Sequence, residues 1–299
     1  MNMTKKKISK KRVPKLQSAI PLSKLKQNFD VPNLEKSRIE SKNRILIFTP
    51  ATGLVRMEWV QARYSQIIPT NWSFVEIHQF LNPYIAINYQ LADAQNMMAK
   101  IVVEGDYDWV IYIEHDNVIP NDAFLRFNQY INEQNVPVVS GLYWLKSDIT
   151  EPLLYRGKGT SHFKDWKLGD KVWVTGIPFG FRLEHAGLIR AAWEESEEYE
   201  VMGQKTRRVF DQPNSMYFDE EKGSLVYAGG TTDLRWCERI MNEGLFEKAG
   251  FKKYQKMDYP FLVDTNIFVK HITPDGTMYP LAVPGRYVPP KGYRGKEVR

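Results

Sequence analysis

WVIYIEHDNVIP, residues Trp109–Pro120, carries five strand-forming residues straight into three polar ones and then stops at a proline. Five apolar or aromatic residues without polar alternation are the mark of a strand buried on both faces, as in a parallel sheet covered by helices. Glu114, His115 and Asp116 follow at the carboxyl end of that strand. In an extended chain Glu114 and Asp116 point to one side and His115 to the other.

The flanking sequence repeats the pattern. RILIFTP (Arg44–Pro50) reads as a first strand and SFVEIHQF (Ser73–Phe80) as a second, with helical spacing between them in VRMEWVQARYSQII. A long helical stretch over about Ile85–Glu104 is closed by Gly105. DWVIYI is the third strand, NDAFLRFNQYINEQN a helix that Asn121 can cap, and VPVVSGLYW a fourth strand. The second half is less regular. Short strands are predicted near PLLYRG, KVWVTG and FLVDTNIFVKHI, and helices near EHAGLIRAAW and TDLRWCERIMNEG. Such alternation predicts an α/β fold, a mostly parallel central sheet flanked by helices. Ligands of open α/β sheets bind beyond the carboxyl ends of the strands, where Glu114 and Asp116 lie. Paired carboxylates there suit magnesium or manganese; acids that merely mark a turn are the other reading.

Composition sets the outer bounds. A chain of 299 residues, 43% hydrophobic and 25% charged, is that of an ordinary globular protein. The single cysteine, Cys237, cannot form an intramolecular disulfide, no Cys/His cluster has zinc spacing, and no apolar run reaches membrane-helix length. Nor does an apolar segment follow the basic N-terminus, so the expected location is cytoplasmic. The net charge of +6 is unevenly spread: residues 1–44 hold 13 Lys/Arg against 3 Asp/Glu, leaving 28 against 32 in the rest. The expected organisation is a basic, disordered tail over 1–43, a folded domain over 44–283 and a basic Pro/Gly-rich tail over 284–299. The first tail reads either as a solubiliser or as an arm for an anionic polymer such as nucleic acid.

The acid-x-acid triplet after a hydrophobic strand, followed by NVIP, resembles the DXD region of GT-A fold glycosyltransferases, especially family 2-like and phage-type members. Other segments follow in the family's order over about Arg44–Ile272. ILIFTPA resembles the strand whose end holds the nucleotide, implying Thr49 and Ala51. LADAQNMM resembles the helix with an Arg-Asn pair, of which only Asn96 is matched, since Gln95 replaces the arginine. VVSGLYW with EPLLYRG resembles the next strand and hairpin, and VTGIPFGFRLEHAGLI the glycine-rich acceptor-side segment. TTDLRWCERIMNEG resembles the helix bearing the catalytic acid, and FLVDTNIFVKHI the closing strand with a metal-binding histidine. The first DXD position is Glu114, long enough to reach a ribose hydroxyl or a metal, and the usual Glu-Asp pair is Thr232-Asp233.

The resemblance implies a GT-A-like sheet with an irregular acceptor-side half. It also implies a hexosyltransferase-like enzyme moving sugar from a nucleotide-sugar donor to a hydroxyl of a glycan or other polymer. Asp116, His271 and Glu114 are the implied ligands for Mn2+ or Mg2+, with Asp264 orienting His271, and Asp233 is the implied base of an inverting reaction. Each has a structural alternative: His271 as a hydrogen-bonded strand residue, Asp233 as a residue of a helix start beside a capping threonine. Gly176, Gly180, Phe179 and Phe181 form either an acceptor wall or a tight buried hairpin, and Trp144 is open in the same way. Arg56 either reaches a diphosphate or is a solvated helix-start residue. Among other classes, TPATGLVR has too few glycines for a nucleotidyltransferase loop, and no G-x-G-x-x-G supports a dehydrogenase. An inactive GT-A-like module binding sugar or nucleic acid is the alternative from outside enzymology.

Overall fold

The computed structural model describes residues 43–72, 84–147, 151–156, 163–212, 214–219 and 224–281. The first half runs β1 (Ile45–Ala51), α1 (Met57–Tyr64), β2 (Tyr84–Ile87), α2 (Leu91–Glu104), β3 (Trp109–Ile113), β4 (Asn117–Val118), α3 (Ala123–Glu133) and β5 (Val138–Leu142). It continues with β6 (Lys171–Val174), β7 (Phe181–His185), α4 (Ala186–Glu195), β8 (Glu198–Val201), β9 (Gln204–Arg207), β10 (Asn214–Asp219) and β11 (Ser224–Gly229). The last elements are α5 (Thr232–Asn242), α6 (Leu245–Lys248), α7 (Lys252–Gln255), β12 (Phe261–Phe268), β13 (Lys270–Ile272) and β14 (Met278–Tyr279).

Seven strands form the central sheet in the order β2-β1-β3-β7-β5-β12-β6. β1 is parallel to β2 and β3, and β5 to β12, whereas β7 opposes both β3 and β5 and β6 opposes β12. Five of the seven strands thus run one way, the mostly parallel arrangement that the alternation predicts.

The two faces of the sheet follow from the two-residue period of its strands. Leu46, Phe48, Val110 and Tyr112 pack on one face in a core shared with Met98 and Val102 of α2, Leu188 of α4 and Trp236 of α5. Ile45, Ile47, Ile111 and Ile113 pack on the other with Trp59 of α1 and Phe124 and Phe127 of α3. Helices therefore cover both faces, and the carboxyl ends of β1 and β3 open onto the same end of the sheet. No helix among the described residues is long and apolar enough to cross a membrane.

Several boundaries differ from expectation. The long helix predicted from Ile85 is instead β2 followed by α2. Tyr84–Ile87 pairs with Phe48–Ala51, and Asn88, at φ 60°, turns the chain before the helix starts. Asn121 does not cap α3: Asp122 precedes that helix, and Asn121 Oδ1 instead accepts from Ser65 Oγ at 3.1 Å. The strand predicted over Ser73–Phe80, the N-terminal tail to residue 42 and the tail over 284–299 lie outside the described residues.

Candidate active site at the end of the third strand

Backbone hydrogen bonds fix the polar triplet. Glu114 N donates to the Gly180 carbonyl at 2.9 Å, and the Glu114 carbonyl accepts from Trp59 Nε1 at 2.9 Å and from Asn117 N at 3.1 Å, closing a tight turn. A Cβ on Gly180 would run into the Tyr143 ring and come within 2.8 Å of Asn117 Nδ2, so only glycine lets β7 start this close to the turn. Asn117, fully buried, places its amide 3.5 Å from both Glu114 Oε2 and Asp116 Oδ1.

β4 pairs antiparallel with β13, setting Asn117 opposite His271. That pairing brings His271 Nε2 to 3.3 Å from Asp116 Oδ2. His271 Nδ1 lies 2.8 Å from the Trp144 carbonyl, which can only accept, so Nδ1 carries a proton and Nε2 is the ring nitrogen turned to Asp116. Lys146, from the segment after β5, places its ammonium on the same Asp116 Oδ2. Burial acts to raise the Asp116 carboxyl, but hydrogen bonding and charge from His271, and then from Lys146, outweigh it and hold the group well below the usual carboxylate range. Glu114 goes the other way. Burial, followed by the charges of Asp116 and Asp233, pushes its carboxyl up to about 8. Two acids in one turn are thereby driven apart in proton affinity.

Two cavities open at this point, of 320 and 410 Å³, and share Thr52, His115 and Asp116 as a common wall. The larger runs between the ends of β1 and β2, along Pro50, Ala51, Asn88, Tyr89 and Glu114. The smaller is bounded by Leu54, Val55, Arg56, Lys146 and the residues after β13. His115, turned away from the two acids, sets Nδ1 3.2 Å from the Pro50 carbonyl and Nε2 3.4 Å from Thr52 Oγ1.

Of the residues singled out in the sequence, Glu114, Asp116 and His271 are thus brought together, and Ala51 lines the larger cavity. Thr49 and Asn96 are not brought to it. Thr49 is fully buried within β1, and Asn96 holds the backbone of Phe210 through both amide atoms, at 2.8 Å each, with Tyr199 Oη at 2.7 Å. Asp264 does not orient His271, because its carboxylate accepts from Tyr130 Oη at 2.7 Å and from Asn266 at 3.0 and 2.9 Å. Asp233 lines neither cavity. It sits in the first turn of α5, where Oδ1 accepts from Leu234 N at 2.8 Å, burial raises its carboxyl, and its charge bears on Glu114, Tyr143 and Tyr155. Thr231 precedes that helix without capping it.

Phe179 packs on Tyr112 at 4.7 Å and Phe181 stacks on Phe127 at 4.5 Å, so both belong to the core. Gly176 is buried, and its N–H donates to the Tyr155 carbonyl at 3.2 Å across an isolated antiparallel bridge. Trp144 is buried and serves through its carbonyl, and Arg56 pairs with Glu58 and the Pro274 carbonyl at the rim of the smaller cavity.

Among the described residues no three His, Cys, Asp or Glu side chains form a metal cage. What the turn does offer is one carboxylate oxygen and one imidazole nitrogen 3.3 Å apart. Ligand atoms on adjacent octahedral corners, each about 2.1 Å from a magnesium-sized ion, lie about 3 Å apart, so the pair has the spacing of two ligands to one divalent cation. Sequence reasoning missed Lys146, Asn117 and Tyr143. Only Asn117, adjacent to the acids, carried a local signal.

No protein-family model and no curated protein matches the sequence. Among solved structures, the chain is similar to A197 from STIV at 14% identity and a TM-score of 0.42, over 79% of this chain and 92% of that one. It is also similar to S. aureus TarS at 10% identity and a TM-score of 0.38, over 76% of this chain and 36% of TarS. A structure of TarS residues 1–349 in complex with UDP gives 10% identity and a TM-score of 0.36, over 76% of this chain and 59% of that one.

Proposed function

We propose that the protein is a metal-dependent glycosyltransferase of GT-A type that moves a sugar from a nucleotide-sugar donor to a hydroxyl acceptor. The observation that carries this reading is the convergence of Asp116 Oδ2 and His271 Nε2 at 3.3 Å beyond the carboxyl end of a central strand, with Asp116 on the wall of both cavities. Asp116, His271 and, once ionised, Glu114 would hold Mn2+ or Mg2+. Bound there, the ion would supply positive charge for the departing diphosphate.

The chain's own groups have separable tasks. The larger cavity takes the nucleoside between the ends of β1 and β2, with Ala51 on its floor. In its protonated form, which burial favours, Glu114 donates a hydrogen bond to a ribose oxygen instead of binding the ion. Asp233, raised by burial and within charge range of Glu114, takes the acceptor proton in an inverting transfer. Since Asp233 lines neither cavity, the acceptor approaches from the α5 side of Glu114.

A thermal-shift screen of nucleotides and nucleotide-sugars, with and without manganese, tests the reading, because a ligand of the folded state raises stability by mass action. The expected result is metal-dependent protection by one nucleoside diphosphate and its sugar conjugates. Asp233→Asn should then bind donor but not turn it over. Donor binding without turnover in the wild-type chain would point instead to an inactive binding module.

A further inference from the structure

Lys146 has no counterpart in the functional reading above, yet its ammonium contacts the carboxylate on which that reading depends. The side chains of Lys146 and Asp116 are each about a quarter exposed, so the pair is shielded from salt more than a surface pair and remains open to exchange. Lysine is a point charge on a flexible stem, able to leave one anion for another without moving its backbone. Lys146 also lines the smaller cavity, which gives the stem somewhere to go.

Both partners of Asp116 depend on one segment. The Trp144 carbonyl holds His271 Nδ1 at 2.8 Å, and two residues later Lys146 reaches Asp116. Leu145 between them is pinned by its N–H to the Glu151 carbonyl at 2.9 Å, and Trp144 bridges to Pro152. The backbone after β5 is therefore fixed, and the lysine stem is the part that can swing.

Given the metal-dependent reading of this centre, we infer that Lys146 is a resident counter-cation that competes with the divalent ion for Asp116 Oδ2 and yields it only when a diphosphate arrives. The reasoning is geometric. The ammonium lies on the oxygen that faces His271 Nε2, so it stands inside the coordination sphere that the Asp116–His271 pair defines. A lysine ammonium and a divalent cation cannot both contact one oxygen without strong mutual repulsion. A diphosphate entering beside Asp116 supplies new anionic oxygens for the ammonium, and the carboxylate is released to the metal. Nucleotide and metal then bind cooperatively, and metal alone binds weakly.

The test is a manganese titration of the full-length chain, followed by the electron paramagnetic resonance signal of free Mn2+, without nucleotide and with a panel of nucleoside diphosphates. Lys146→Met should bind Mn2+ about ten-fold tighter than wild type in the absence of nucleotide, equivalent to about 1.4 kcal/mol. Added diphosphate should tighten Mn2+ binding in wild type and do so much less in Lys146→Met. Lys146→Arg, which keeps the positive charge, should stay as weak as wild type, and Asp116→Asn combined with Lys146→Met should lose the gain. If Lys146→Met does not fold, as judged by circular dichroism, Lys146→Gln serves in its place. Equal or weaker Mn2+ binding by the uncharged variant would overturn the role of Lys146 while leaving the metal centre standing. No Mn2+ binding by either protein, even with diphosphate, would overturn the metal centre and this role together.

Discussion

His271 Nε2 faces Asp116 Oδ2 across 3.3 Å, and the Trp144 carbonyl, 2.8 Å from Nδ1, fixes which ring nitrogen is turned to the carboxylate. Under the proposed function a divalent cation would bind between these two atoms and take the place of any proton there. His271→Ala should raise the manganese requirement for nucleoside diphosphate binding several-fold and leave the melting temperature of the ligand-free protein nearly unchanged. A purely structural histidine would do the opposite. Losing its hydrogen bond would cost about 1–3 kcal/mol of folding free energy and leave the metal dependence unmoved.

Gly180→Ala should be among the most damaging single-methyl additions in the protein. The new Cβ has Tyr143 and Asn117 Nδ2 against it, and both belong to the support of the Glu114–Asn117 turn. Overpacking of this kind costs about 1–3 kcal/mol. Denaturant unfolding should show that loss, and calorimetry should show weakened metal-dependent diphosphate binding even in the fraction that folds.

His185 gives the fold a pH dependence remote from the site. It caps α4 by accepting from Gly187 N at 3.1 Å, and its ring packs edge-on to Trp109 and Phe251. Burial, and then the charge of Arg190, push the imidazole down to about 4. A histidine with a folded value below its unfolded one binds protons more readily when unfolded. Its contribution is therefore whole above about pH 6.5 and lost as pH falls through 4. Glu194, Glu195 and Lys248 line a surface hollow together with His185 and Arg190, and Lys248 is paired with Glu195. Urea unfolding between pH 4 and 7 should show stability rising with pH by up to about 1.4 kcal/mol per unit from this residue. His185→Asn, which can cap without titrating, should flatten that slope.

The basic tail can be separated from the body. Removing residues 1–40 should abolish salt-sensitive binding to polyanions and spare diphosphate binding, because the remainder of the chain carries more acid than base. Affinity for a DNA oligomer measured against salt concentration checks this. An unchanged salt slope after truncation would leave the tail as a solubiliser.

What the sequence made legible depended on how each element meets its surroundings. β1 and β3 were readable because nearly all their side chains are apolar and buried on both faces, and β5 and β12 because they open on buried apolar runs. β7 was hidden. Its polar residues Arg182 and Glu184 form a fully buried ion pair in contact with Cys237 and Trp236, so FRLEH lacks the apolar run that marks a central strand. The hairpin of β8 and β9 escaped because its turn is Met202-Gly203, both at positive φ, where Asn-Gly is the usual signal. Asp116 and His271 were found through family likeness, and nothing local tied them together. Lys146 carried no signal, since one lysine after a strand looks like any solvated lysine. Asn96 and Thr49 came only from family likeness, and their surroundings are structural: Asn96 holds the backbone of Phe210 and Thr49 lies inside the sheet.

The pairing of β4 with β13 also orders events in time. Asn117 and Asp116 leave the ribosome well before His271, and on a nascent chain the acidic turn waits without its imidazole until almost the whole domain has been made. The strand start at Gly180 that buttresses Glu114 arrives between the two. Contacts so distant along the chain form late, since their loops must close before the contacts can reward them. The Asp116–His271 contact is therefore completed only after β13 has been made.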